Sequence, residues 1–242
     1  MRMTVVVPTY NERDTVPLLL RRLAAVVERS GLDGEAVVVD DASPDGTGDV
    51  AARVALELRD IMPIVVAGRP GKAGLTSAVL EGVRRGRGDV VVVMDGDLSH
   101  PPEVVPDLLG AVAAGADVAV GSRYVAGGGV AGWPVHRRVL SWGAAHLARL
   151  LLGLRVRDPV SGFFAARRRI FEAVRFEGRG YKLLVEILAS GRAGRIAEVP
   201  YRFTERAHGR SKLGAGEIAE YVRLLRRLRR SQITRHRRDA DR

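Results

Sequence analysis

Asp89-Val-Val-Val-Val-Met-Asp95-Gly-Asp97 decides the fold of this 242-residue chain. An unbroken β-branched run reads as a central strand of a parallel sheet, covered on both faces. Open α/β sheets bind ligands outside the carboxyl ends of their strands, and this run ends there in Asp-x-Asp. Two carboxylates so close repel unless a cation lies between them. A divalent ion held by two carboxylates, with waters and substrate oxygens in its other positions, suits the neutralisation of phosphates.

Outward from that run, strand and helix signals alternate. Strands are expected at Thr4–Pro8, Ala36–Asp40, Ile64–Ala67, Val90–Met94 and Val118–Gly121. Helical spacing follows each of the first four, beginning with Val16, Leu19, Leu20, Leu23, Val26 and Val27. This order predicts a doubly wound, mostly parallel sheet. After Tyr124 the pattern loosens. Gly127-Gly128-Gly129 reads as a loop, Arg138–Leu152 and Leu183–Ser190 as helices, and Gly162–Ala166 and Ile196–Phe203 as strands. From Glu217 the chain reads as an amphipathic helix. Ile218, Tyr221, Val222, Leu224, Leu225 and Leu228 lie on one side and Arg223, Arg226, Arg227 and Arg230 on the other. Residues 231–242 are expected to fray.

Apolar residues make up 46% of the chain, enough for a core, but aromatics only 5%, so that core is mostly aliphatic. The absence of cysteine excludes disulfides, thiolate metal sites and cysteine nucleophiles. No signal peptide is read before the first strand, and no apolar run is long enough to span a bilayer. Net charge is +11, but nine arginines against two aspartates place +7 of it in residues 221–242, leaving +4 for the rest. Basicity concentrated at one end fits contact with an acidic surface better than nucleic-acid binding.

Polar groups gather at four strand ends: Pro8-Thr9-Tyr10-Asn11-Glu12, Asp40-Asp41, Asp95-Gly96-Asp97 and Ser122-Arg123. Asp40 and Asp41 alone read as helix caps; four such ends on one rim read as a site. The loop Gly68-Arg-Pro-Gly71-Lys72-Ala-Gly74 lacks the spacing of a phosphate loop, and no Gly-x-Gly-x-x-Gly follows the first strand. Lys72 reads equally as a phosphate contact or a turn lysine. The histidines show no metal spacing, and His136 and His146 read as structural. Ser161 lacks a nucleophile elbow. The cluster Arg206-Ala-His208-Gly209-Arg210-Ser211-Lys212 reads as a solvated loop or an anion-binding one.

Six segments stand together in a familiar order: Val-Pro-Thr-Tyr-Asn-Glu (7–12), Val-Val-Asp-Asp-Ala-Ser-Pro-Asp-Gly-Thr (38–47), Met-Asp-Gly-Asp-Leu-Ser-His-Pro-Pro-Glu (94–103), Gly-Ser-Arg-Tyr (121–124), Asp-Pro-Val-Ser-Gly-Phe-Phe (158–164) and Arg-Ala-His-Gly-Arg-Ser-Lys (206–212). Over roughly residues 4–225 the chain resembles the dolichol- or polyprenol-phosphate mannose synthases, inverting family 2 glycosyltransferases of GT-A fold. The first three segments resemble family 2 broadly; the last two point to the polyprenol-phosphate branch.

The resemblance implies an α/β GT-A domain over 1–213, a Rossmann-like mixed sheet, mostly parallel. A basic amphipathic helix and disordered tail over 214–242 follow, with no transmembrane segment. It implies transfer of mannose from GDP-mannose to polyprenyl or dolichyl phosphate with inversion. Pro8, Tyr10, Glu12, Val39 and Asp41 would hold the nucleoside. Asp95, Gly96 and Asp97 would meet the ribose and, through Mg2+ or Mn2+, the diphosphate. Arg123, Arg137 and Ser141 would grip the acceptor phosphate, and Lys182, Arg206 and Lys212 would close over the donor. Asp95, Asp97 and Arg123 are the expected catalytic set. Ser99 stands where similar enzymes often carry a metal-binding Gln. The expected location is peripheral, on the cytoplasmic face of an anionic membrane, with or without a separate membrane-anchoring protein. Two alternatives stand beside this: the same fold with a donor such as UDP-glucose, and a basic nucleic-acid-binding protein.

Overall fold

The computed structural model describes residues 1–71, 74–176, 182–204 and 215–240, with 215, 217 and 235–240 as backbone alone. Strands β1 (Met3–Thr9), β2 (Gly34–Asp40), β3 (Ile64–Gly68), β4 (Val90–Val93) and β5 (Val118–Ser122) alternate with helices α1 (Val16–Ser30), α2 (Thr47–Glu57), α3 (Leu75–Arg85) and α4 (Val105–Ala113). β6 (Gly129–Val130), α5 (Val135–Leu152), β7 (Phe164–Arg167), α6 (Arg168–Ala173), α7 (Leu183–Ala189), β8 (Ile196–Pro200), β9 (Arg202–Phe203) and α8 (Ala215–Ala240) complete the order. Local chemistry sets the boundaries. α1 takes Pro17 into its first turn, where no amide donor is needed, and stops at Gly31, whose φ of 59° closes a left-handed cap.

The main sheet runs β3-β2-β1-β4-β7-β5-β8. β1, β2, β3 and β4 pair in parallel; β7 runs antiparallel to both β4 and β5; β8 is parallel to β5. The chain builds outward from β1 to β3, then returns to lay β4 on β1's other side. That reversal opens a crevice at the carboxyl ends of β1 and β4.

Strand periodicity builds the two layers. Val5, Val7, Val38, Val90 and Val92 face the cluster under α1 and α4. Val6, Val37, Val39, Val91 and Val93 face the one under α3 and α7. All ten are within 3% of full burial, as expected where helices cover both faces. Gly82 lets α3 lie close on β1, since a Cβ there would stand 2.3 Å from Val6 Cγ1.

Three expectations need correction. Ile196–Phe203 is two strands, because after Pro200 the chain leaves the main sheet and β9 pairs in parallel with β6. For the same reason the Gly127–Gly129 loop ends in a short strand. Helix α8 continues past residue 230 to Ala240, carried by good helix formers such as Arg. Most of its apolar side is covered, although Ile218 stays 47% exposed. Tyr221, Leu224, Leu225 and Leu228 are buried against Ala145, Ala148 and Leu152 of α5 and Val185 and Ala189 of α7. Tyr221 also donates its phenol hydrogen to the Ala144 carbonyl at 2.9 Å.

Candidate active site

Among the described residues, three that are not glycine adopt left-handed backbone: Asn11 (φ 59°), Ala42 (φ 54°) and Leu98 (φ 65°). Each follows the carboxyl end of a parallel strand, β1, β2 or β4. Such conformations persist only when the surroundings over-determine them, and here hydrogen bonds do. The Asn11 amide donates to Ser43 Oγ (3.0 Å), and the Ser43 amide and hydroxyl donate to the Asp40 carboxylate (3.0 and 2.5 Å). The Glu12 amide donates to Thr47 Oγ1 (2.9 Å), whose hydroxyl donates to Asp45 Oδ1 (2.6 Å). Asp40 is thereby a loop-fixing residue. Asp41 differs: its carboxylate faces Arg69 of the β3–α3 loop at 2.9 Å, with both side chains nearly buried. The two facing atoms are close but not aligned as a hydrogen bond. Arg69 also donates to Ser77 Oγ at 2.8 Å. Arg69 carries no motif of its own in the sequence.

Pro8 is half-buried and Tyr10 is 37% exposed at the end of β1, so both border the crevice; Glu12 stands one turn further on. Val39 packs its side chain in the core and offers the crevice only backbone. Gly96 keeps the β4 turn against β1, since a Cβ would lie 3.0 Å from Thr9 Cγ2.

At the end of β4, Asp97 is 2% exposed and its Oδ1 accepts the Ser99 amide at 3.0 Å. The Ser99 hydroxyl is buried and has no hydrogen-bond partner among the described residues. The Asp95 side chain remains 30% exposed. Its carboxylate approaches Gly162, where a Cβ would stand 3.6 Å from Oδ2. No group of three or more His, Cys, Asp or Glu placed to hold an ion occurs among the described residues. Two carboxylates and an orphaned hydroxyl nonetheless form a set of hard oxygen donors. They fit a divalent ion that takes its remaining ligands from water and a bound diphosphate.

The Asp95 amide donates to His100 Nδ1 at 3.0 Å. Nδ1 therefore carries no proton, and its 3.8 Å approach to Asp95 Oδ2 is not an ion pair. His100 is buried against Phe163, Tyr201 and Phe203.

Across this wall lies a second cluster of charged side chains. Arg123, at the end of β5, is 8% exposed. It donates to Asp158 through Nε (2.7 Å) and Nη2 (2.8 Å), while its amide donates to the same carboxylate (3.0 Å). Burial works to lower the Arg123 pKa; the hydrogen bonds and charge of Asp158 outweigh it and raise the value. Arg137 stacks on Trp133 at 4.1 Å, the ring Arg123 approaches at 5.6 Å. Tyr124 donates to Ser141 Oγ at 2.8 Å, and burial raises its pKa. A cavity of about 370 Å³ is lined by Arg123, Tyr124, Val130, Arg138, Val139 and Trp142.

The structure thus brings Arg123, Arg137 and Ser141 together around Trp133 and Tyr124. It adds Asp158, the first residue of the 158–164 segment, and Arg138; sequence reasoning gave neither a role. Asp158 lies 35 residues from its partner, beyond any local spacing rule. Asp95 and Asp97 do not line that cavity; the aromatic wall joins the two sites. Tyr201, in that wall, has its pKa raised first by burial, then by the charges of Asp158 and Asp95, against the pull of Arg123. Lys182 rests its ammonium over the Tyr221 ring of α8 at 5.4 Å. Lys72, Arg206 and Lys212, with the 206–212 cluster, lie outside the described residues.

A mixed, mostly parallel sheet with acidic residues at its switch point defines a GT-A type sugar-nucleotide transferase fold. The chain belongs to glycosyl transferase family 2, which it matches over residues 4–175. It is 46% identical over 230 residues to the dolichol-phosphate mannosyltransferase of Pyrococcus furiosus, covering 94% of this chain and 64% of that protein. It therefore spans just under two thirds of that relative's length. It is 42% identical to the undecaprenyl-phosphate mannosyltransferase of Micrococcus luteus, covering 92% and 91% of the two chains. Among solved structures it resembles glucosyl-3-phosphoglycerate synthase of Mycobacterium tuberculosis in complex with Mn2+, UDP and glucosyl-3-phosphoglycerate. That match has a TM-score of 0.68 at 25% identity and covers 95% of this chain and 79% of that one.

Proposed function

We propose that this glycosyltransferase moves mannose from GDP-mannose to polyprenyl or dolichyl phosphate with inversion. The observation that carries the reading is the cavity below Arg123: guanidinium groups line it together with Val139 and Trp142, which continue onto an exposed apolar stripe of α5. That is a slot for a phosphate with a hydrocarbon tail. The mannosyltransferase names of the Pyrococcus and Micrococcus relatives support the same reading.

Pro8, Tyr10 and Asp41 hold the nucleoside, with Glu12 and the Val39 backbone beside them. Asp95, Gly96 and Asp97 meet ribose and diphosphate; Lys182, Arg206 and Lys212 complete the donor side. Asp97, Asp95 and Ser99 would hold Mg2+ or Mn2+, which when bound offsets charge on the departing diphosphate. The nucleophile is a phosphate oxygen. With a second pKa of about 6 it is already largely deprotonated at neutral pH, so no general base is required. Arg123, Arg137 and Ser141 orient it, planar guanidinium groups being suited to bidentate phosphate contact. Attack from the face opposite the diphosphate inverts the anomeric centre and gives a β-mannoside.

No helix among the described residues is long and apolar enough to cross a membrane. With most of α8's apolar side packed inward, membrane contact passes to α5. Val135, Val139, Trp142 and Leu150 recur at helical spacing and are 58–74% exposed, with His146 stacked on Trp142. A tryptophan-bearing stripe beside exposed arginines suits an anionic bilayer surface, which we place on the cytoplasmic side.

The test is a donor screen with polyprenyl phosphate, reading the lipid product by mass and its anomeric configuration by NMR. Hexose transferred from GDP-mannose supports the reading. Transfer from UDP-glucose alone overturns the donor. Sugar-nucleotide breakdown without lipid makes the protein a hydrolase. Salt-sensitive nucleic-acid binding that survives Asp97→Ala moves it to another class.

A further inference from the structure

Resting on that reading, we propose that His100 is a positioning residue that locks the Asp95–Asp97 turn to the wall beneath Arg123. It falls within the 94–103 segment but has no role in the sequence reading, and it touches no substrate in the scheme above. Yet it is 2% exposed, at the centre of an aromatic box. Phe163 stacks on it at 5.1 Å and 10°, while Tyr201 and Phe203 meet it edge-on at 5.7 and 6.0 Å. A phenyl ring would fill such a box without the desolvation cost of an imidazole. The reason for histidine lies in one atom. The Met94 amide still reaches the Val6 carbonyl at 3.2 Å, but β4 ends there, and the next amide, that of Asp95, turns inward. Nδ1 accepts it at 3.0 Å and so fixes the backbone from which the Asp95 carboxylate projects.

The ring's face has a separate task. Phe163, against which it lies, accepts the Gly121 amide at 2.9 Å, and the Tyr201 amide donates to the Ser122 carbonyl at 3.1 Å. Gly121 and Ser122 lead directly into Arg123. Phe203 in turn packs on Trp133 at 4.9 Å, the ring between Arg123 and Arg137. Gly162 leaves room for the stacked ring: a Cβ there would crowd His100 Cε1 at 3.3 Å. One imidazole therefore abuts both sites, the donor turn through a hydrogen bond and the acceptor wall through its face.

The two tasks separate by substitution. His100→Asn offers an acceptor oxygen near the Nδ1 position and discards the ring. His100→Phe keeps the ring and leaves the Asp95 amide unpaired. Mn2+ affinity is read by electron paramagnetic resonance on substrate-free protein, and KM and kcat are measured with a short-chain polyprenyl phosphate. His100→Phe is expected to weaken Mn2+ binding about tenfold, the usual scale for residues that support metal ligands, while leaving the acceptor KM near wild type. His100→Asn is expected to keep Mn2+ affinity within about twofold, well short of that scale, and to raise the acceptor KM. Equal weakening of Mn2+ binding by the two variants, whatever their melting temperatures, overturns the proposal, as does no weakening by either. Wild-type protein that binds no Mn2+ sinks the donor-site reading itself, and this inference with it.

Discussion

The two halves of the sheet's carboxyl edge commit their charged groups differently. On the β1–β2–β4 side the backbone carries the strain: three left-handed residues are held by side-chain hydrogen bonds. Asp95 stays partly exposed and the Ser99 hydroxyl lacks a partner. On the β5–α5 side, Arg123 is clamped by Asp158 and Arg137 is stacked on Trp133. The first half leaves oxygen atoms of the proposed ion site exposed or orphaned; the second commits its cations to the wall of the proposed acceptor site. Substitutions in the first half should therefore cost activity with little stability, and in the second they should cost both.

The largest expected effect is at Asp97. Replacing it with Ala removes a carboxylate from the proposed ion site; losing several kcal/mol of charge stabilisation lowers kcat by about 10³-fold or more. The urea midpoint should fall only by the equivalent of about 1 kcal/mol, for the lost Ser99 amide bond. Full activity in a transfer assay would end the metal assignment, and a collapsed midpoint would erase the contrast between the halves.

Asp158→Ala tests the other half. It leaves the Arg123 guanidinium buried and uncompensated, at a cost of about 3–5 kcal/mol, to be read by urea denaturation. Acceptor KM should rise as well, because the arginine loses its orientation. A variant as stable as wild type would mean that Arg123 finds solvent or another anion, and that the clamp is not what fixes it.

What was legible beforehand follows the same division. The valine runs of β1, β2 and β4 and the acidic turn after β4 are contiguous in sequence, and periodicity with strand-end chemistry exposes them. The wall is assembled from residues 121–124, 133–141, 158–163 and 201–203, so no single window contains it: Arg123 was legible as a strand end, Arg137 and Ser141 only through the family resemblance, and the Asp158 clamp not at all. The direction of β7 was equally hidden, being set by the path of the chain through α5 before it re-enters the sheet. Helix α8 shows a third limit: Tyr221, Leu224, Leu225 and Leu228 make the same pattern whether they face a bilayer or a neighbouring helix. Only the positions of α5 and α7 decide it.

That decision has its own test, of smaller size. Val135→Ser with Leu150→Ser removes two exposed apolar groups from α5, neither of which lines the Arg123 cavity. Binding to anionic vesicles should fall by about tenfold or more, given roughly 1.5–3 kcal/mol for burying one such side chain. Turnover on a short, detergent-dispersed acceptor should hardly change. Leu225→Ala, by contrast, opens a fully buried site and should cost about 2–5 kcal/mol of stability. Loss of vesicle binding with retained stability in the Leu225 variant would return the membrane role to α8.

The smallest effect calibrates the others. Glu81, on α3 and away from both sites, pairs with Arg84 and Arg85 at 2.9 and 2.6 Å. Their hydrogen bonds lower its pKa from 4.5 to about 2. A depressed carboxyl contributes stability that is complete above its unfolded value and is lost as pH falls toward the folded one. Glu81→Gln should therefore change the pH dependence of stability only between about pH 4.5 and 2. Solvent screening of such a surface pair keeps the amount to about 0.5 kcal/mol. If the acid limb of the wild-type curve shifts by much more on this single change, helix-surface ion pairs are stronger here than assumed. The loss on cutting the Asp158 clamp then needs the same correction before it is credited to burial.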